Sequence, residues 1–358
     1  MKATYPTPIA LAAGLAMSLT SLLASAQSAP ASITLYGNID LAVRHVSGLA
    51  EFTPSPGTVS SVTSGVNNTS VWGLRGSEDL GGGLRAVFNL EQGYNADTGT
   101  QASTSKFWDR QAWVGLQNAW GTLTVGRHRN LLGDSVSPVD PLGMRLASFN
   151  PNINIAALSQ HRLGIDYGAA GSTSGSYRLD NSVKLTARVS DLTLRAMVSA
   201  GEGASGHSTS VGATWASGGL TVSGAYGDFE NLAGRSLEAW VVGTAYKTGA
   251  LRLSLTYGDN DAQTTAVAST KNSTLGVGVG YAFTPQLELV TAAYRVERER
   301  TGFADDGFDR YVAFLEYALS KRTRLYGELD STRWDNDYQG AANKKNATGF
   351  SVGVVHNF

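Results

Sequence analysis

The chain is built from segments about ten residues long in which apolar and polar side chains alternate, and the clearest is the last one. In Gly349–Phe358, the residues Phe350, Val352, Val354, His356 and Phe358 share one face, and Gly349, Ser351, Gly353, Val355 and Asn357 share the other. Period two identifies a strand, and about ten residues is the length a tilted strand needs to cross a hydrocarbon core. An apolar face carried through to a terminal aromatic places this strand against lipid. A bilayer offers no water to backbone N–H and C=O groups, so strands that cross it must pair into a closed barrel.

The other end carries a different signal. Lys2 is followed by an apolar stretch from Ile9 to Leu23 and by the small-residue site Ala24-Ser25-Ala26. This pattern predicts a secretory signal peptide at residues 1–26, cleaved after Ala26, with residues 27–358 forming one barrel domain. A retained anchor fits poorly, because the stretch is short and contains Ser18, Thr20 and Ser21. Past residue 26 no run reaches the ~18 apolar residues of a helical span. The 42 glycines stand against only 9 prolines, unlike disordered or collagen-like chains. Cysteine is absent, so an exported chain without disulfides takes its stability from a closed hydrogen-bonded sheet. Formal net charge is −1, or −2 for residues 27–358 with 27 basic and 29 acidic side chains. That balance argues against nucleic acid as a partner.

Connections alternate in length. Seven tight turns, at 79–83, 118–120, 189–191, 217–219, 247–249, 283–285 and 319–322, are rich in Gly, Asn, Asp, Ser and Pro. Between them run eight longer polar loops at 47–68, 97–105, 129–176, 202–208, 228–236, 259–272, 298–308 and 334–346. Fifteen connections imply sixteen strands. The fold expected is therefore all-β, a 16-stranded antiparallel transmembrane barrel with short periplasmic turns and long extracellular loops. A soluble propeller or sandwich also has many short strands, but explains neither the turn asymmetry nor the aromatic face of the last strand.

The loop at 129–176 breaks the rhythm, and compact domains seldom carry so long a connection without use. It holds Asp134, Asp140 and Asp166, three prolines, and an apolar run from Ile153 to Leu158, which suits a segment folded inward against a wall. Facing it should be charges on the lumen side of the strands. With Ile33, Leu35, Ile39, Leu41 and Val43 turned to lipid, Asn38, Asp40 and Arg44 point inward. Arg75 is inward because Trp72 and Leu74 are outward, and Arg178, Asp180 and Lys184 are inward if Leu179, Val183 and Leu185 are outward. A charge facing lipid at mid-membrane costs about 2–4 kcal/mol, which drives this placement. Arg110 and Arg127 fall on the outward parity of their strands, near strand ends where a bulge re-aims a side chain, and parity leaves both open.

Two motifs point elsewhere and fail their context. Gly276-Val277-Gly278-Val279-Gly280 lies inside an alternating strand with no helix after it, so it is not a phosphate loop. Asp305, Asp306 and Asp309 lack the spacing of a calcium loop. The five histidines have no metal-ligand spacing, and no nucleophile–base constellation of an enzyme barrel is visible. No metal, cofactor or catalytic residue is expected.

Several longer stretches carry a resemblance. They are Thr34-Leu35-Tyr36-Gly37, the run from Trp72 to Leu84, Arg110 to Leu116, Gly121 to Arg127, Tyr317 to Thr323, and Val355-His356-Asn357-Phe358. Across residues 27–358 the chain resembles the general porins of Gram-negative β-proteobacteria. The resemblance implies a homotrimeric outer-membrane channel for passive diffusion of small hydrophilic solutes and ions, in contact with membrane lipid and lipopolysaccharide. It implies that the third loop forms the constriction, with Asp134 and Asp140 as its acidic side. It places Arg127 and Arg110 with Arg75 and Arg44 at the pore arginine cluster, and makes Phe358 the signal read by the barrel-assembly machinery. The long third loop departs from the family pattern, with Leu163–Tyr167 as an additional strand-like piece. A substrate-selective channel for anionic metabolites is the alternative reading.

Overall fold

The computed structural model describes residues 31–49, 57–145, 150–152, 178–201, 206–231, 233–336, 338 and 344–358. The signal peptide assigned to residues 1–26 and the piece at Leu163–Tyr167 lie outside them. In chain order the first elements are β1 (Ser32–Leu49), β2 (Gly57–Ser64), β3 (Val71–Gly81), β4 (Leu84–Asn95), β5 (Thr100–Gln101), β6 (Gln111–Gln117), β7 (Gly121–Arg129) and helix α1 (Leu131–Val136). Next come β8 (Arg178–Val189), β9 (Leu192–Ser199), β10 (Ser208–Ser217), β11 (Leu220–Glu230), β12 (Ser236–Thr248) and β13 (Leu251–Gln263). The last are β14 (Ser269–Ala282), β15 (Leu287–Arg300), β16 (Asp306–Ala318), β17 (Thr323–Asp335) and β18 (Asn346–Asn357).

These strands form one antiparallel sheet closed on itself. β3 pairs with the first half of β1 and β2 with its second half, so the two together occupy one position in the ring. β5 is a two-residue bridge against β4, inside the connection to β6. Of eighteen strands, sixteen positions thus circle the barrel. The seven tight reversals fall where the sequence places them. At one, Gly218 and Gly219 have φ of 57° and 85°, the left-handed pair that a two-residue hairpin turn requires.

The long connections differ from expectation in extent. Those expected at 228–236, 259–272 and 298–308 shrink to 231–235, 264–268 and 301–305, because the strands run on. Their extensions turn charged side chains outward, with Lys271 at 3.6 Å from Asp259 and Arg295 at 3.0 Å from Asp309. Outward charges belong beyond the lipid belt, so the wall rises past it. The connection at 47–68 contains β2, which continues the sheet.

Outward positions are apolar and exposed along the wall, including Ile33, Leu35, Val43, Val114, Val125, Leu255 and Val352. Closure is made by β1 and β18, paired from Asn38↔Asn357 to Ser47↔Thr348. The last residue adds two bonds, Phe358 N to Gly37 O (3.0 Å) and Gly37 N to Phe358 O (3.2 Å). Its ring lies over Gly37, where an added Cβ would meet Phe358 Cζ at 2.6 Å. The glycine of Thr34-Leu35-Tyr36-Gly37 is therefore the notch that receives the terminal aromatic. Gly37→Val, and deletion of Phe358, should each lower the yield of heat-modifiable folded barrel on gels of outer-membrane fractions by several-fold. Wild-type yields from both would remove the notch from the closure.

Candidate pore site

Immediately after β7 the chain turns into the barrel. Asn130 caps α1, its side-chain oxygen accepting from Gly133 N at 2.9 Å, which satisfies a backbone donor left free at a helix start. Leu131, Leu132 and Val136 are buried against Leu179, Met197, Ala225, Phe229, Leu237, Ala239 and Val241 of the inner wall. Farther along, Leu142 packs among Val290, Ala292, Tyr294, Val312 and Phe314. Glycines on the lumen face make this approach possible. A Cβ on Gly243 would meet Val139 Cγ2 at 2.6 Å, one on Gly278 would meet Pro141 Cβ at 2.5 Å, and one on Gly212 would meet Ser135 Oγ at 3.0 Å. The Gly276–Gly280 alternation thus belongs to a wall against which a loop is laid.

Asp134 bonds Arg129 Nε at 2.7 Å and the Lys184 ammonium. Burial pushes its carboxyl up, but these two cations outweigh burial and hold it down at about 2, below the ordinary 3.8. Asp140 is fully buried. Its carboxylate accepts from Tyr294 Oη (3.1 Å), Asn152 Nδ2 (2.7 Å), Asn150 Nδ2 (3.0 Å) and Met144 N (2.7 Å). Neither carboxylate stands open to an arginine across the lumen; both are spent on seating the loop. Arg145 completes the seat with two bonds to Glu316, at 2.7 and 3.0 Å, and Glu316 also accepts from Asn67 Nδ2.

The wall of β3, β4 and β6–β8 gathers most of the expected arginines. Arg75 lies over the Tyr36 ring at 5.0 Å, and Tyr36 donates to Glu91 at 2.9 Å and Asn89 at 2.8 Å. Arg110 bonds Glu91 at 2.8 Å, and the buried Arg178 acts electrostatically on the same carboxylate. Arg127 reaches Asp180 at 2.5 Å and the Asp109 carbonyl at 2.7 Å, with Lys106 also 2.5 Å from Asp180. Arg110 precedes β6, so strand alternation does not govern it. Arg127 adjoins Gly126 (φ 137°) at a shift in the β7–β8 register.

The same irregularity corrects one expectation. Leu179, expected toward lipid, is buried under α1, because β8 carries one extra residue around Asn181 (φ 49°) and its alternation restarts there. Arg178 and Asp180 are accordingly placed by their partners and not by parity with Lys184. Arg44 stands apart from the other arginines, bonding Glu328 at 2.6 Å and Asp330 at 2.5 Å. Asp40 accepts from Asn67 N, Asn68 N and Tyr326 Oη, all at 2.6 Å, and Asn38 donates to Thr69 O at 3.0 Å. These two residues hold the break between β2 and β3. In the extracellular cluster, Asp306 is taken by Arg298 and Arg300 and Asp309 by Arg295.

Four lumen-side arginines rest on neutral groups. Arg75 stacks on Tyr36, and Arg85 donates to Ser77 at 2.6 Å. Arg195 donates to Thr214 at 2.9 Å, and Arg252 donates to the carbonyls of Pro138, Asp140 and Pro141 at 3.1–3.4 Å. Neutral partners orient these guanidiniums, while Asp134 acts on Arg195, and Asp140 and Glu288 on Arg252, only through their charge. Glu91, Glu316 and Tyr294, which organise the site, were not singled out from sequence, although Glu91 sits on the inward face of β4 with Asn89.

A sequence profile described as Gram-negative porin matches residues 10–337. The chain belongs to the Gram-negative porin family. An outer membrane porin protein of Bordetella pertussis is 36% identical over 159 residues, a segment spanning 41% of this chain and 41% of that one. Major outer membrane protein P.IB of Neisseria meningitidis serogroup B is 28% identical over 356 residues, covering 94% of this chain and 98% of the relative. In fold, the anion-selective porin from Comamonas acidovorans superposes with a TM-score of 0.74 at 20% identity, covering 92% and 100% of the two chains. A trimer form of OmpT from Vibrio cholerae gives 0.66 at 16% identity, covering 92% and 100%. This porin is thus an outer-membrane channel for passive diffusion of small hydrophilic solutes, and not an enzyme.

Because the Asp134 carboxyl is held at about 2 against an ordinary 3.8, its pairs stabilise the loop above about pH 4 and are lost as pH falls through about 2. The shift corresponds to roughly 2 kcal/mol. Single-channel conductance should hold steady from pH 5 to 3 and change below that, and Asp134→Asn should abolish the acid step. Gly243→Leu should push the loop off its wall into the lumen and lower the size limit for sugars in liposome swelling. An unchanged limit would mean that the loop does not need that space.

Proposed function

We propose that solutes pass between the third loop and the basic wall of β3, β4 and β6–β9, and that the passage favours anions. The carrying observation is the set of lumen arginines, Arg75, Arg85 and Arg195 on that wall and Arg252 of β13 beside the loop, which stack on or donate to neutral groups. Among the described loop residues, Asp134 is neutralised by Arg129 and Lys184 and Asp140 is capped by hydrogen bonds. A passage beside occupied carboxylates and arginines held by neutral groups carries positive potential, which raises the local concentration of anions and repels cations. Arg44, Arg110, Arg127, Arg178 and Lys184 add to that potential in part, each being shared with a carboxylate. The anion selectivity named for the Comamonas porin accords with this reading.

The same proposal includes a homotrimer, with lipid and lipopolysaccharide around its rim and Phe358 read by the assembly machinery. It is supported by the outward aromatic group Trp72, Phe107 and Trp108, whose ring centroids lie 4.8–6.3 Å apart, beside the β1–β18 closure. In planar bilayers under a KCl gradient, the reversal potential should have the sign of chloride selectivity. A unit charge about 8 Å from an ion in water is worth roughly 0.5 kcal/mol, attractive for chloride and repulsive for potassium, so Arg75→Ala should lower the chloride-to-potassium permeability ratio about fivefold. Potassium selectivity in the wild type would overturn the proposal.

A further inference from the structure

Below α1, the wall of β8 and β9 carries a descending set of cations. On the inward face Lys184 lies opposite Met197, Thr186 opposite Arg195, and Arg188 opposite Thr193. Same-face neighbours along a strand are about 7 Å apart and adjacent strands about 4.8 Å apart, so Lys184, Arg195 and Arg188 occupy successive rungs. Arg129 closes the top through its bond to Asp134. Arg195 feels the charges of Arg129 and Arg188, and Asp134 is the carboxylate that acts on it. Asp134 already receives hydrogen bonds from Arg129 and Lys184. Arg195 is half-buried and spends one donor on the Thr214 hydroxyl at 2.9 Å, a neutral partner that fixes the plane of the guanidinium. A guanidinium has five donors in a rigid fork suited to phosphate and carboxylate oxygens.

We propose that Arg188 and Arg195, with Thr214 orienting Arg195 and the Asp134-bound Lys184 closing the upper end, form a subsite for a small polyvalent oxyanion, inorganic phosphate being the type. The site deepens the anion-favouring passage and rests on it. Chloride can neutralise one cation at a time, whereas a dianion bridges neighbouring rungs and is retained longer. Phosphate is therefore held at this wall on its way between α1 and the turn at 190–191, and its flux saturates.

The test is planar-bilayer conductance of the full-length porin in potassium phosphate at pH 7.5, and of KCl current with phosphate added. Wild-type phosphate conductance should saturate in the millimolar range, with phosphate reducing the chloride current. In the Arg188→Gln/Arg195→Gln variant, half-saturation should rise at least tenfold, with stepwise insertion events showing that the pore is formed. Arg195→Lys keeps the charge and should keep most of the saturation. Linear phosphate conductance in the wild type, or equal saturation in the double variant, overturns the subsite while leaving chloride selectivity intact. A wild-type reversal potential of potassium sign overturns the anion-favouring passage itself.

Discussion

Everything else in this molecule depends on one seam, the pairing of β1 with β18. A sheet edge in hydrocarbon leaves a row of backbone donors and acceptors without partners, at several kcal/mol for each group. The seam removes that edge from Ser47↔Thr348 to the last residue, where Phe358 exchanges two backbone bonds with Gly37. Its ring then fills the space that the glycine leaves on the outer face. Closure turns a two-faced sheet into a wall with a lipid side and a lumen side. Only then do the alternating apolar residues and the inward arginines acquire separate environments.

A closed wall also sets the terms for the loop. Its backbone enters a lumen already lined by side chains, so it needs both room and partners. Glycines at 212, 243 and 278 provide the room. Tyr294, Glu316, Lys184 and Arg252 provide the partners. Asp134 and Asp140 are consumed in this seating, and so is Glu316. Carboxylates used as fasteners no longer offset the arginines left on neutral groups, and the field across the passage follows from that imbalance. Selectivity and anchoring thus draw on the same few charges.

Much of this was legible in the chain. Tight turns could be located because sharp reversal demands particular residues, and the faces of β1 and β3 because charge is excluded from lipid. The reach of β13 to β16 past the membrane was not legible, since strand extensions outside lipid carry outward charges and read as loop. Leu179 was misplaced because a bulge at Asn181 resets the alternation without a distinctive residue pattern. The arginines at 75, 110 and 127 and the inward Asp180 were recognised, but Glu91, and the pairing of Asp180 with Arg127, emerge only when β4, β6, β7 and β8 are side by side.

Asp134 and Asp140 show where the boundary lies. The sequence by itself determined that the chain makes a sixteen-stranded barrel, which way β1, β3, β4 and β18 face, and that one long loop turns inward. Those properties follow from local periodicity and from the cost of charge in lipid, both of which are written along the chain. Only the tertiary structure decided what each charge does. Asp134 meets Lys184 across 50 positions and Asp140 meets Tyr294 across 154. Whether a carboxylate fastens a loop or faces a solute depends on partners that sequence distance hides and barrel closure brings into contact.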